Sequence, residues 1–170
     1  MPVTALVNQL RFSRAEFTRC LEGVNEQDAV KRLEPMNCIS WIIGHLSNQE
    51  NRYWVEMAQG VTLPEVSGLN DLVGYGKPAS SPPLADMKFI WECVTQAADG
   101  YLNTLTKPSL PTYLEVDGKP YKESIGTMLY RNIYHYWFHT GEAHAIRQGL
   151  GHTNLPQFVG DISCAAYRPE

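Results

Sequence analysis

Residues 133–142 read IYHYWFHTGE, an aromatic-rich run that contains two histidines. Its histidines, His135 and His139, are four positions apart, which is about one turn of an α-helix. Both imidazoles therefore project from one face of a predicted helix, and this spacing is typical of metal ligands. A third histidine, His45, lies far upstream in a similar apolar and aromatic segment. We expect one metal ion to be held by these three histidines across packed helices.

Four long helices are predicted from apolar residues that recur at intervals of three and four. Their apolar stripes need mutual burial, so we predict an all-α fold, a four-helix bundle that forms a single domain over residues 1–170. The predicted helices run from about Thr4 to Leu21, from Ser40 to Ala58, from Pro82 or Pro83 to Leu105, and from Lys122 to Gln148.

Two connections complete the predicted architecture. Residues 60–83 are rich in Gly, Pro and Ser, which indicates a long crossover loop between the second and third helices. Residues 114–121 read LEVDGKPY, and Asp-Gly between short β-prone runs predicts a small hairpin between helices 3 and 4. Pro120 limits the second arm to an edge position. Residues 152–170 are expected to form a short tail.

Composition excludes several classes of protein. The chain has 170 residues, of which 44% are hydrophobic and 19% charged, with a net charge of −4, as in ordinary globular proteins. Lys and Arg are not clustered, so we expect no nucleic-acid partner. The apolar runs are shorter than the ~20 residues that span a bilayer, and no signal peptide is recognisable. We therefore expect a soluble, cytoplasmic protein whose cysteines, Cys20, Cys38, Cys93 and Cys164, are reduced and buried.

The spacing of the histidines is open to two interpretations. Neutral imidazoles suit zinc, nickel, iron or copper, and three protein ligands leave a coordination position for water or substrate. Alternatively, the histidines are hydrogen-bonded core residues without a metal. His144 and His152 lie away from the predicted ligand face and are expected to be peripheral.

Polar residues near the predicted ligands are candidates for supporting roles. Glu142 and Asn132 share the face of the histidine pair, so either could hydrogen-bond a ligand's second nitrogen or a bound water. Glu142 is also a candidate catalytic general base beside the metal, with a plain surface charge as the alternative. Gln49 is a candidate partner of the upstream histidine. Arg52 and Arg147 are candidates for gripping an anionic substrate, or for solvent-exposed or ion-paired positions.

Two stretches give the chain a family resemblance. Residues 40–46 read SWIIGHL and are followed by Glu50, Tyr53 and Trp54; residues 135–142 read HYWFHTGE and continue into AIRQGLG at 145–151. In this order they resemble the DinB-like, YfiT-like metal-binding four-helix bundles. Thr140 occupies a position where that family frequently has arginine, whereas Gly141 and Glu142 fit its pattern. We also expect Gly141 to permit a close approach of helices.

The resemblance implies a metal site and a range of chemistry. It implies that His45, His135 and His139 bind a divalent cation such as zinc or nickel, with iron or manganese as alternatives, and that the protein is a homodimer. It also implies a small-molecule substrate and a low-molecular-weight thiol as co-substrate. Our first hypothesis is a metal-dependent enzyme, a transferase or hydrolase that activates a thiol or water. The alternative is a non-catalytic metal-binding or ligand-binding stress-response protein.

Overall fold

The computed structural model describes residues 4–157 and 159–167, and its architecture is mostly helical with a small two-stranded sheet. Short 3-10 turns lie at Pro64–Val66, Lys107–Ser109 and Ser163–Ala165, and a π-helical segment lies at Asn51–Met57. The α-helices are α1 (Ala5–Cys20), α2 (Glu26–Val30), α3 (Ile39–Glu50), α4 (Leu69–Val73), α5 (Leu84–Leu102) and α6 (Ile125–Gly149), and the strands are β1 (Tyr113–Val116) and β2 (Lys119–Ser124).

Side-chain caps fix the ends of the first and last long helices. The Thr4 hydroxyl accepts a hydrogen bond from the Val7 amide at the start of α1, close to the predicted boundary. The Ser124 hydroxyl accepts from the Thr127 amide at the start of α6. The predicted start of the fourth helix at Lys122 is wrong by three residues, because the chain is still in β2 until this cap.

The second predicted helix is present but changes its hydrogen-bonding pattern midway. Its regular part, α3, ends at Glu50, and the chain continues as the π-helical segment Asn51–Met57. A π-turn accommodates an extra residue, so it rotates the following side chains relative to a continuous α-helix. Nothing in the apolar periodicity predicted this change.

The connections match the predictions in one case and differ in the other. Residues 60–83 are not a structureless loop, because they contain the 3-10 turn and the helix α4, which packs against α3. The predicted hairpin is confirmed as β1 and β2, which pair antiparallel. Asp117 and Gly118 form its turn with φ angles of 52° and 71°, the left-handed conformation that an Asp-Gly hairpin turn requires.

The long helices pack in the spatial order α1, α6, α3 and α5. Gly44 allows one close approach, because a Cβ there would lie 2.5 Å from the Met87 sulfur and 3.1 Å from a Val73 methyl. Gly141 is exposed and a Cβ there would meet nothing within 4 Å, so its predicted role in helix approach is wrong. Among the residues that the structure describes, no helix is long and apolar enough to cross a membrane.

A buried polar network ties the long helices together. The Glu50 carboxylate is fully buried and accepts hydrogen bonds from Arg14 Nε at 2.8 Å and from the Tyr136 hydroxyl at 2.6 Å. Trp91 donates to the same hydroxyl at 2.8 Å, and Arg14 also donates to Asp99 at 2.8 Å. One network therefore joins α1, α3, α5 and α6.

The cysteines are all free thiols, as predicted. Cys20 and Cys38 are buried and behave as small apolar residues. Cys93 is partly buried and Cys164 is exposed. The expectation of burial is therefore wrong for Cys164, which lies in the 3-10 turn near the end of the chain.

Candidate metal centre

Helix α6 brings His135 and His139 together at one turn of spacing. Their Nε2 atoms are 3.0 Å apart, and their ring centroids are 4.6 Å apart. His139 is buried, with 6% of its surface exposed, and His135 is half-buried. The pair therefore faces the protein interior at the edge of a cleft, as the helical spacing predicted.

Helix α3 supplies the third imidazole. The His45 ring centroid lies 4.9 Å from that of His135 and 5.2 Å from that of His139. The indole of Trp41, one turn earlier, stacks on the His45 ring at 4.5 Å with an interplanar angle of 14°. The Nδ1 atom of His45 lies 2.8 Å from the Val73 carbonyl oxygen at the end of α4. Helix α4 therefore orients one of the three imidazoles, although it lies in a segment predicted to be a loop.

Hydrogen bonds at the rear of two rings determine which nitrogen faces the centre. A carbonyl oxygen can only accept, so His45 Nδ1 carries the proton donated to Val73. His139 Nδ1 lies 2.7 Å from Glu142 Oε2, and it donates to that carboxylate. Both neutral rings therefore present an unprotonated Nε2, which is the form that binds a metal. Glu142 thus has the predicted contact with a histidine's second nitrogen.

The geometry of the three rings fits a divalent cation. One ring nitrogen from each histidine lies within 4.8 Å of the others. Two nitrogens that bind one zinc ion at about 2.1 Å lie about 3.0–3.4 Å apart, and the two Nε2 atoms on α6 are 3.0 Å apart. The buried Nδ1 of His135 has no hydrogen-bond partner among the described residues.

Burial favours the neutral form of two of the imidazoles, those of His135 and His45. Burial lowers the pKa of His135 to about 3, and the neighbouring His139 and His45 rings contribute in the same direction. Burial also lowers the pKa of His45, although its hydrogen bond to the Val73 carbonyl opposes the shift. Protons therefore compete weakly for these nitrogens at neutral pH, which favours metal binding.

The metal-free protein is expected to lose stability on acidification. His135 stays neutral in the folded chain down to a pKa of about 3, whereas an imidazole in the unfolded chain has its ordinary pKa of about 6.5. Between these values the unfolded state binds more protons, so the free energy of unfolding falls as the pH falls. Thermal melting of chelator-treated protein from about pH 7.5 to about pH 5 should show this loss. The slope should be smaller in His135→Gln, and an unchanged slope in that variant would contradict the assignment.

A polar cleft of about 610 Å³ opens beside the histidines. His45 and His135 line one end of it, and Arg52 and Asp71 are exposed on its walls. Arg52 is thus placed where an anionic group of a ligand could reach it. The remaining wall is formed by Asn48, Gln49, Asn51, Tyr53, Glu56, Val66, Gly68, Asn70 and Tyr75.

The other candidates from the sequence have structural contacts. Arg147 is buried and donates to His152 and to the Cys20 carbonyl. These contacts do not support its candidate role in binding an anionic substrate. His152 also contacts Asp28, and neither it nor His144 joins the histidine cluster, as expected.

Asn132 and Gln49 bond to each other rather than to a histidine. Asn132 Nδ2 lies 2.6 Å from Gln49 Oε1, and Asn132 Oδ1 accepts from Trp54 Nε1. Neither residue therefore hydrogen-bonds a histidine, and the alternative that they hydrogen-bond a bound water stays a prediction. No residue spacing indicates this arrangement, because it joins positions 49, 54 and 132 through the fold.

The profile of the DinB superfamily matches residues 9–143, which contain His45, His135, His139 and Glu142. Proteins of this superfamily are often metal-binding, and the convergence of the three histidines agrees with that property. No curated protein is detectably similar to the chain. The profile covers well over half of the sequence, so the chain belongs to the DinB superfamily.

Proposed function

We propose that His45, His135 and His139 bind one divalent cation and that this centre activates a small molecule. The observation that carries the proposal is the convergence of one nitrogen from each ring within 4.8 Å. Support comes from the Val73 and Glu142 contacts, which leave the inner nitrogens of two rings free to bind a cation. We further propose that the long helices form a four-helix bundle, supported by the packing of α1 on α6, of α6 on α3 and of α3 on α5.

The nature of the donors limits the choice of cation. Three neutral imidazoles suit zinc, nickel, iron or copper, and of these we propose zinc or nickel. Within the described part of the chain, the cluster of metal-ligating side chains contains these three histidines and no carboxylate or thiolate. Three protein ligands are typical of catalytic sites, in which further positions accept water or substrate. His45 and His135 also line the polar cleft, which gives a small molecule access to the centre.

A bound divalent cation supplies positive charge that favours the deprotonated form of a thiol or a water molecule. We propose a metal-dependent transferase or hydrolase, with a low-molecular-weight thiol as the preferred co-substrate. Glu142 holds the His139 ring through its Nδ1 proton and thereby fixes the direction of Nε2. That Glu142 also acts as a general base toward the substrate stays a prediction. We propose a homodimer as the assembly, which sedimentation velocity can test.

The proposal predicts an open coordination position that a thiol can fill. Cobalt(II)-loaded protein titrated with 2-mercaptoethanol should develop a thiolate-to-cobalt charge-transfer absorption in the near ultraviolet. Ethylene glycol, the oxygen counterpart of this probe, should not produce that absorption. Cobalt that binds stoichiometrically but gives no thiolate absorption would contradict thiol activation. That result would leave a hydrolase that activates water, or the non-catalytic metal-binding alternative.

A further inference from the structure

A chain of amide hydrogen bonds beside the metal centre has a fixed direction. It starts at the indole N–H of Trp54, which can only donate, and Asn132 Oδ1 accepts this bond. The other end of the Asn132 amide must therefore be its NH₂ group, which donates to Gln49 Oε1 at 2.6 Å. Asn132 is 1% exposed and is held from both sides. The orientation of the Gln49 amide is consequently determined by Trp54, five positions further along the chain.

We call the hydrogen-bonded series Trp54, Asn132 and Gln49 the relay. Its free end, at Gln49, is a hydrogen-bond donor. With Gln49 Oε1 engaged, its Nε2 group remains, and no hydrogen bond to it is present within residues 4–157 and 159–167. Gln49 is half-buried and lines the polar cleft together with His135. The relay therefore presents N–H groups to a ligand that approaches the centre.

Gln49 and His135 also line a second cleft, of about 490 Å³. Its wall consists of Tyr130, Tyr134 and Phe138, which are 50%, 64% and 70% exposed. The two tyrosine rings stack with centroids 5.8 Å apart and an interplanar angle of 20°. Exposed aromatic rings on one helix face form a surface on which a flat apolar group packs favourably.

We propose that this second cleft binds a small aromatic molecule that carries a carbonyl oxygen, and that Gln49 donates to that oxygen. The aromatic wall contacts the ring of the ligand, and the Gln49 amide donates to the ligand's carbonyl oxygen next to His135. Arg131 also lines the cleft but is paired with Glu123 at 2.8 Å, whereas the Nε2 group of Gln49 is a donor without a partner among the described residues. The aromatic molecule would be the acceptor of the activated thiol, and this role rests on the proposed function. Binding of the aromatic molecule in the cleft requires no metal.

A shape-matched pair of probes isolates the hydrogen bond. Acetophenone carries the carbonyl oxygen, and α-methylstyrene replaces that oxygen with a CH₂ group of similar shape. Dissociation constants for both probes are measured by NMR titration of the full-length protein, together with the shift of the Gln49 side-chain amide. We expect acetophenone to shift that amide signal. The preference for acetophenone over α-methylstyrene should fall about three- to tenfold in Gln49→Met, the effect of one neutral hydrogen bond.

The variant Asn132→Asp tests the relay itself. An aspartate accepts from Trp54 but has no NH₂ to donate, so the Gln49 amide should turn and present its oxygen. The preference for acetophenone should fall as in Gln49→Met, whereas general damage to the cleft would weaken both probes equally. Gln96→Met, the same substitution at an exposed position that lines neither cleft, is the matched control and should keep the preference.

Two results would overturn the inference. The first is an unchanged preference in Gln49→Met and Asn132→Asp. The second is a dimer that Phe138→Ser dissociates and that excludes both probes, because the aromatic wall would then be covered by a second copy of the chain. Elemental analysis of the same samples reports metal content separately, so a failure of the metal site is distinguishable from a failure of this cleft.

Discussion

Replacing His135 or His139 with alanine is expected to abolish stoichiometric binding of a divalent cation. Each change removes one of three nitrogens that converge within 4.8 Å. Loss of an outer-shell partner alone lowers metal affinity about 10- to 100-fold, so loss of a direct ligand should exceed that range. Elemental analysis after dialysis against a weak chelator measures the effect. The same result is expected for His45→Ala, although that residue lies on another helix.

The matched control is His144→Ala on the same helix. His144 is partly buried like His135, but it is outside the cluster, so its replacement should leave metal content unchanged. Full metal occupancy in a His135→Ala, His139→Ala double variant would show that the cation binds elsewhere. Equal losses in the His144 and His139 variants would show that the effect arises from helix stability rather than coordination.

Replacing Glu50 with alanine is expected to destabilise the fold by about 3–5 kcal/mol, the usual effect of breaking a buried ion pair. Burial alone would lower the pKa of Arg14, but the Glu50 carboxylate raises it above its ordinary value. The variant loses that carboxylate, but an arginine guanidinium stays charged in proteins. The charge is then only 5% exposed and keeps one partner, Asp99. The Tyr136 hydroxyl also loses its acceptor. Urea denaturation monitored by tryptophan fluorescence measures the change in the free energy of unfolding.

An exposed ion pair provides the comparison for Glu50. Asp71 pairs with Lys77 at 2.7 Å, and its side chain is 81% exposed, so Asp71→Asn should have little effect on unfolding. A Glu50→Ala protein with the same denaturation midpoint as Asp71→Asn would show that the buried network does not hold the helices together.

The sequence predicted the long helices and the histidine pair because both depend on short-range periodicity. Apolar residues at helical spacing define α1 and α5, and a separation of four positions places His135 and His139 on one face whatever the rest of the fold does. The hairpin was equally predictable, since Asp117 and Gly118 suit its turn.

The features that the sequence did not reveal depend on contacts between distant positions. Val73 orients His45 from 28 residues away, and its helix α4 lies in a segment whose composition suggested a loop. The Arg14–Glu50 pair spans 36 residues, and no periodicity distinguishes a buried arginine from an exposed one. Likewise, the relay starts at Trp54 in the π-helical segment, passes through Asn132 on α6 and ends at Gln49 on α3.

In the proposed centre, three imidazoles bind one cation and leave a coordination position open to ligands. X-ray absorption spectroscopy of the zinc-loaded protein tests it most directly, because imidazole rings give characteristic outer-shell scattering. We predict one zinc ion per chain with three imidazole nitrogens at about 2.0–2.1 Å and one or two oxygens that exchange with solvent. A spectrum with sulfur ligands, with fewer than three imidazoles, or with an unchanged signal in His45→Ala would contradict the account.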